Sequence, residues 1–273
     1  MFMNPSRVSR RAWLTGALLV VLGGCGGPPP AARPPSPPAP MQPSPPQATI
    51  PADRHQIAAH GVSFTLPFAE TEVAISQTPA VRAGPNDPYW ANSPPVTTFA
   101  FSPFFSTALA DQRTRIQPQI RVYATADFEQ FGSAPFGFAD QLTTLQLLLR
   151  DRPALNEPPH LPYLPPIPAS QAFHARSQYL DFTNGSGVAY LTVLTQDTVA
   201  PLTDGLMYTF QGLTNDGATY VSATFPVSVN HADAAASTVQ DGHAVLTAAD
   251  PIAAFEPDLP LLDQLLRSLQ VEE

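Results

Sequence analysis

Three glycine-bearing turns between residues 173 and 228 restrict this 273-residue chain more than any other feature. Four β-rich runs, near 173–182, 187–196, 206–213 and 218–228, are separated by Asn184-Gly185-Ser186, Asp204-Gly205 and Asn215-Asp216-Gly217. Asn-Gly and Asp-Gly supply the positive φ angles that tight hairpin turns require. Connections this short leave no room for a crossover, so neighbouring strands must run antiparallel. The stretch reads as a four-stranded meander, with Asn184 and Gly185 both expected in left-handed geometry.

Upstream, Val62, Phe64 and Leu66 alternate with Ser63 and Thr65 until Pro67 ends the strand. Shorter strands are expected at Val73–Ser76, Val96–Phe101 and Gln119–Tyr123. From Phe138 to Arg150, Leu142, Leu145, Leu148 and Leu149 recur at helical spacing, a stripe that must lie on the sheet. A last helix takes Asp258 as its N-cap and Pro260 in its first turn, with Leu262, Leu265, Leu266 and Leu269 as its buried stripe. No composition break divides 53–273, which reads as a single globular domain. The expected fold class is α+β: a twisted antiparallel sheet, including the meander, flanked by helices.

The N-terminus reads as an address. Arg7, Arg10 and Arg11 precede an apolar run from Ala12 to Leu22. Eleven helical residues reach only about 16 Å, half of a hydrocarbon core, so a signal peptide fits better than a spanning helix. The run ends Leu22-Gly23-Gly24-Cys25, which resembles the bacterial lipobox, with Cys25 as the lipidated residue. Ser9-Arg10-Arg11-Ala12-Trp13-Leu14 also looks like a twin-arginine export motif. Residues 1–24 are thus expected to be a lipoprotein signal peptide, and 25–52 the lipidated Cys and a Pro-rich linker. Twelve of the 26 positions from Gly26 to Pro51 are Pro, which favours extended, disordered chain over packed structure. The expected partner here is the membrane, through lipid on Cys25, and the expected location is the extracytoplasmic cell envelope.

Composition removes many chemistries. The chain has no Lys, which excludes P-loop phosphate binding, Schiff bases and Ser–Lys dyads. After Cys25, ten Arg face 22 acids, a balance of −12 that argues against nucleic acid as partner. One Cys allows no intrachain disulfide and no CxxC pair. No G-x-S-x-G occurs, and no two of the six His stand at i, i+4. His231 and His243, with Asp233 and Asp241, come nearest to a metal set, but their Ala-rich segment reads as a polar loop. No catalytic, cofactor-binding or metal residues are therefore assigned, and no cofactor is expected.

Two insertions suggest contact instead. Pro85-Asn86-Asp87-Pro88-Tyr89-Trp90 sets two aromatics in a turn-rich loop, and Arg152 to Pro168 contains Pro159-His160-Leu161-Pro162-Tyr163-Leu164-Pro165-Pro166. Stiff aromatic and Pro-rich loops lose little entropy on docking. Tyr89, Trp90 and Tyr163 are the candidate contact surface; the competing reading is that both loops cover a sheet edge or helix.

The opening strand Gly61-Val62-Ser63-Phe64-Thr65-Leu66-Pro67 and the closing step Leu265-Leu266-Arg267-Ser268-Leu269 resemble the PsbP/Mog1-like superfamily. Gly212-Leu213-Thr214-Asn215-Asp216-Gly217, followed by Tyr220 to Val227, is similar to a core stretch of secreted bacterial lipoproteins. The resemblance implies a twisted antiparallel sheet flanked by helices and an assembly or accessory role, with no activity attached. The expected function is a lipid-anchored cell-envelope accessory or binding protein, with an envelope protein or glycan as partner. The alternative is an envelope hydrolase acting on cell-wall or polysaccharide material.

Overall fold

The computed structural model describes residues 55–272, apart from 69–70, 85, 103–115, 132–135, 157–158, 198, 204, 231–236 and 250–253. The expected signal peptide, Cys25 and the linker lie outside the described residues. A hairpin comes first, β1 (His55–Ala59) with β2 (Val62–Leu66). Main-sheet strands follow: β3 (Glu72–Thr78), β4 (Val96–Ser102) and β5 (Gln119–Ala124). After the helix α1 (Phe138–Asp151) and the short β6 (Ser170–Gln171) come β7 (Ala175–Phe182) and β8 (Gly185–Thr192). The short β9 (Leu194–Thr195) precedes β10 (Met207–Thr214) and β11 (Thr219–Pro226). The chain finishes with β12 (Ser228–Val229), α2 (Gly242–Ala248), β13 (Phe255–Glu256), α3 (Leu259–Arg267) and β14 (Gln270–Val271).

The main sheet runs β3-β4-β5-β11-β10-β8-β7, antiparallel throughout. The expected meander is its β7-β8-β10-β11 half. The β7–β8 turn differs from expectation in one respect. Phe182 pairs with Gly185, so the two-residue loop is Thr183-Asn184, and neither Asn184 nor Gly185 has positive φ. Gly185 is needed for space instead: a Cβ there would stand 2.1 Å from Phe182 Cζ and 2.3 Å from the Leu213 carbonyl oxygen. Asn184 acts through its side chain, whose Oδ1 accepts the Val271 N–H at 3.1 Å and whose amide donates to the Val271 carbonyl. The hairpin loop thereby holds β14, which itself pairs with β2. In the β10–β11 turn, Gly217 does take positive φ (72°), as an Asn-Asp-Gly turn predicts.

Both faces of the β11-β10-β8 centre of this sheet are covered, whereas β3 is largely exposed. On one face, Phe99, Ile120, Phe210 and Phe225 pack against Phe64 and Leu66 of β2 and against α3. Phe64 meets Phe99 edge-on, with centroids 5.5 Å apart. Leu262, Leu265, Leu266 and Leu269 are all fully buried there, worth on the order of 6–12 kcal/mol before entropy. Asp258 occupies the N-cap position of α3, but its side chain makes no capping hydrogen bond. The segment read as a polar loop around His243 is in part helical: α2 starts at Gly242, whose missing Cβ leaves room for the Phe173 ring. On the other face, Tyr123, Val188, Tyr190, Leu213 and Tyr220 pack beneath α1 and residues 152–168. Among the described residues, no helix is long and apolar enough to cross a membrane.

Candidate functional site

The second face is not uniformly apolar. Strand register aligns Ser76, Thr98, Arg121, Ser222 and Gln211 in one row across β3, β4, β5, β11 and β10. The adjacent row carries Gln119, Thr224 and Thr209. Ser76 is exposed, but Ser222, Gln211, Thr224 and Thr209 are buried and need partners, because unmet polar groups there cost about 1–3 kcal/mol each.

The insertion at 152–168 supplies them at one end of the band. The Leu164 N–H donates to Gln211 Oε1 (3.1 Å), and Ser222 Oγ donates to the Leu164 carbonyl (2.6 Å). Tyr190 Oη donates to the Pro162 carbonyl at 2.7 Å, and Gln141 Oε1 of α1 accepts the Tyr163 N–H at 2.8 Å. Gln171 brackets Leu161, accepting its N–H at 2.9 Å and donating to its carbonyl at 3.3 Å. The loop is thus a strap laid along the sheet. It covers a sheet face, where the expected alternative to contact was an edge or a helix. Proline suits this position, since each Pro removes an N–H that would otherwise need a partner.

Beyond the strap the band opens into a cavity of about 870 Å³. Its wall includes Arg121 and Gln119 from β5, Thr224 and Met207 from the neighbouring strands, Leu194 from β9, and Tyr163 from the strap. A second hollow of about 320 Å³, reaching Phe136, His160 and Gln171, shares Tyr163 and Ile167 with the first. Pro168, Ala169, Leu194 and Gln196 line both hollows as well. Burial raises the Tyr163 phenol above the ordinary range, opposed by a hydrogen bond with Thr224 and by the Arg121 charge. Tyr123 is pushed up to about 12, mainly by burial, with Arg121 again pulling the other way. Both phenols are neutral hydrogen-bonding groups at physiological pH, and the half-buried Arg121 carries the charge.

Arg121 has no carboxylate partner among the described residues. Arg150 pairs with Asp151 at 2.7 Å and Arg152 with Asp181 at 3.2 Å, both at the surface. Among the described residues, Asp197 is the carboxylate lining the large cavity, and its Oδ1 accepts the Val199 N–H at 2.9 Å. The cavity can orient and hold a guest through a fixed cation, amides and hydroxyls.

The structure separates the expected contact residues. Tyr163 lines both hollows, whereas Trp90 lines neither and is 41 % exposed. Tyr89 begins a 3-10 turn that includes Trp90. Their loop is closed by a Val81–Ser93 bridge and pinned where Arg82 lies 4.7 Å over the Phe131 ring and donates to Gln130 Oε1 at 3.0 Å. Of the residues nearest to a metal set, His231 and Asp233 lie outside the described residues. His243 donates from Nδ1 to the His174 carbonyl at 2.8 Å, and Asp241 accepts from the Thr238 hydroxyl at 3.1 Å. Arg121, Gln119 and Thr224 escaped the sequence reading. Their only signal was polar residues recurring at every second position in β5 and β11, a pattern that also marks a solvated face. Comparison of the chain with protein-family models, curated proteins and solved structures finds no match.

Proposed function

We propose that the protein is a lipid-anchored accessory protein of the bacterial cell envelope that binds a small guest in the large cavity. The observation that carries the reading is the cavity itself. It has about 870 Å³ of space between a sheet and a hydrogen-bonded strap, with Arg121, Asp197 and several neutral polar groups among the described residues of its wall. Pre-formed pockets of this size with a few placed polar groups are the usual form of small-molecule sites. Leu22-Gly23-Gly24-Cys25 and the Pro-rich stretch behind it support anchorage and a spacer. The finer fold reading, a PsbP/Mog1-like domain, belongs to the same proposal. It is supported by contact between its two quoted motifs: the Thr65 N–H donates to Ser268 Oγ at 2.8 Å.

Two measurements test the reading. Cys25→Ser is expected to move the protein from the membrane fraction to the soluble one; a variant that still sediments in high salt refutes the anchor. Incubation of the full chain with isolated cell-wall sacculi is expected to release no soluble fragments. Steady fragment release would establish the hydrolase and overturn the binding role.

A further inference from the structure

We propose that the cavity takes a short peptide by its free C-terminal carboxylate, with Arg121 as the anchor. The inference rests on the binding reading above and gives it a ligand class. An acidic chain repels anions at long range, so a site for one needs a fixed, partly desolvated cation close by. Arg121 meets that need: it is half-buried, lines the cavity, and has no carboxylate partner among the described residues. A guanidinium presents two parallel N–H groups to a carboxylate, a geometry that a point charge cannot match.

The rest of the wall selects among carboxylates. Gln119 lies two residues from Arg121 on the same face of β5, about 7 Å along the strand. That is also the length of two residues in an extended peptide, so an amide side chain there meets the guest's own backbone amides. Gln117 adds another amide to the wall. Leu194 and Met207 offer an aliphatic surface for a side chain, while Tyr163 is the one aromatic among the described residues of the wall. Sugar rings favour flat aromatic platforms, and an acyl chain favours an apolar slot without amides. Asp197 disfavours guests with several negative charges.

The test uses the full chain labelled with ¹³C at the methionine methyls, because Met207 lines the cavity and reports occupancy directly. Four probes are titrated: acetyl-Gly-Ala-Leu, its C-terminal carboxamide, trigalacturonate and decanoate. The acid is expected to shift the Met207 methyl, and the carboxamide to bind about tenfold or more weakly, since it lacks the charge-assisted pair. In Arg121→Gln the acid should fall to the affinity of the carboxamide. Equal binding of acid and carboxamide to the unmodified chain overturns the anchor, and this comparison needs no variant to fold. A Met207 shift with trigalacturonate or decanoate but not with the peptide overturns the ligand class while sparing the binding reading. No shift with any probe overturns the inference, and hydrolysis of a probe overturns the binding reading as well.

Discussion

Gln211 Oε1 accepts the main-chain N–H of Leu164 at 3.1 Å, between the main sheet and the strap. The same oxygen accepts the Tyr220 hydroxyl at 3.0 Å, and the amide nitrogen donates to Thr209 Oγ1 at 2.9 Å and Ser222 Oγ at 3.1 Å. One fully buried side chain therefore makes four hydrogen bonds and joins two strands to the strap. Gln211→Leu keeps the volume but orphans the Leu164 N–H and the Tyr220 hydroxyl. It is expected to cost about 2–4 kcal/mol, read as a lowered urea midpoint. A shift within about half a kcal/mol would mean that the strap is not held by this network.

Gly185 and Gly84 provide a matched pair of substitutions. At Gly185 an added Cβ meets Phe182 Cζ at 2.1 Å and a backbone oxygen at 2.3 Å, so alanine must displace the sheet or the ring. Gly185→Ala is expected to cost about 2–3 kcal/mol, near the upper end for overpacking. At Gly84 the nearest atom is the Asp87 carboxylate at 3.2 Å, the far end of an exposed side chain. Gly84→Ala should change stability by about half a kcal/mol or less. Equal denaturation midpoints for the two variants would refute the Phe182–Gly185 register.

The last helix and the closing strand seal the first core. Leu265 is fully buried against the sheet, and Leu265→Ala is expected to cost about 2–5 kcal/mol. Ser268 accepts the Thr65 N–H and donates to the Leu265 carbonyl at 2.7 Å. Ser268→Ala should cost roughly 1 kcal/mol, more than an exposed Ser→Ala change and less than the leucine. Thermal melts of the two variants check the order; a Ser268→Ala melt below that of Leu265→Ala would reverse it.

Asp263 on α3 gives an unusual pH dependence. Its carboxylate accepts Gln178 Nε2 at 2.9 Å and the Tyr208 hydroxyl. Burial raises its pKa, and the bonds from Tyr208 and Gln178 and the Arg267 charge do not cancel that rise. The folded chain therefore holds this proton to higher pH than the unfolded chain, where the group titrates near 3.8. Its contribution to stability is complete below 3.8 and is lost as pH climbs through the raised value. Subtracting the stability profile of Asp263→Asn from that of the unmodified chain should leave a curve that declines with rising pH. A difference curve that rises over this window would show that the hydrogen bonds outweigh burial.

Local pattern made most of the architecture readable. The leucine spacing at 262–269 exposed a one-sided helix, and the turn residues after 182 and 214 ordered the meander. Gly185 was singled out for its φ, yet its role is close approach, which depends on where Leu213 and Phe182 stand in three dimensions. β1 went unread because its outward residues carry little apolar alternation. The polar row was hidden for a different reason. When both faces of a sheet are buried, Arg121, Ser222 and Gln211 mimic residues that face water, and only the strap laid over them reveals otherwise. The same covering places Tyr163 in the lining of both hollows.

β1 is an edge strand that hydrogen-bonds with β2 through five registered pairs from His55↔Leu66 to Ala59↔Val62, with Ile57 and Ala59 packed on the core. Chain leading back toward Cys25 leaves from the His55 end, the open mouth of that hairpin. A pull arriving along this chain would meet the pairs one after another, as in a zipper, and never all at once as in shear. Leu66 and Phe64 sit in the core and stay behind, while the largely exposed β1 peels off. Release of the strand would lengthen that chain by up to roughly 17 Å at about 3.3 Å per residue. If Cys25 is the anchor, as proposed, tension in this chain would reach the β1–β2 hairpin before the main sheet, which places β1 first to yield.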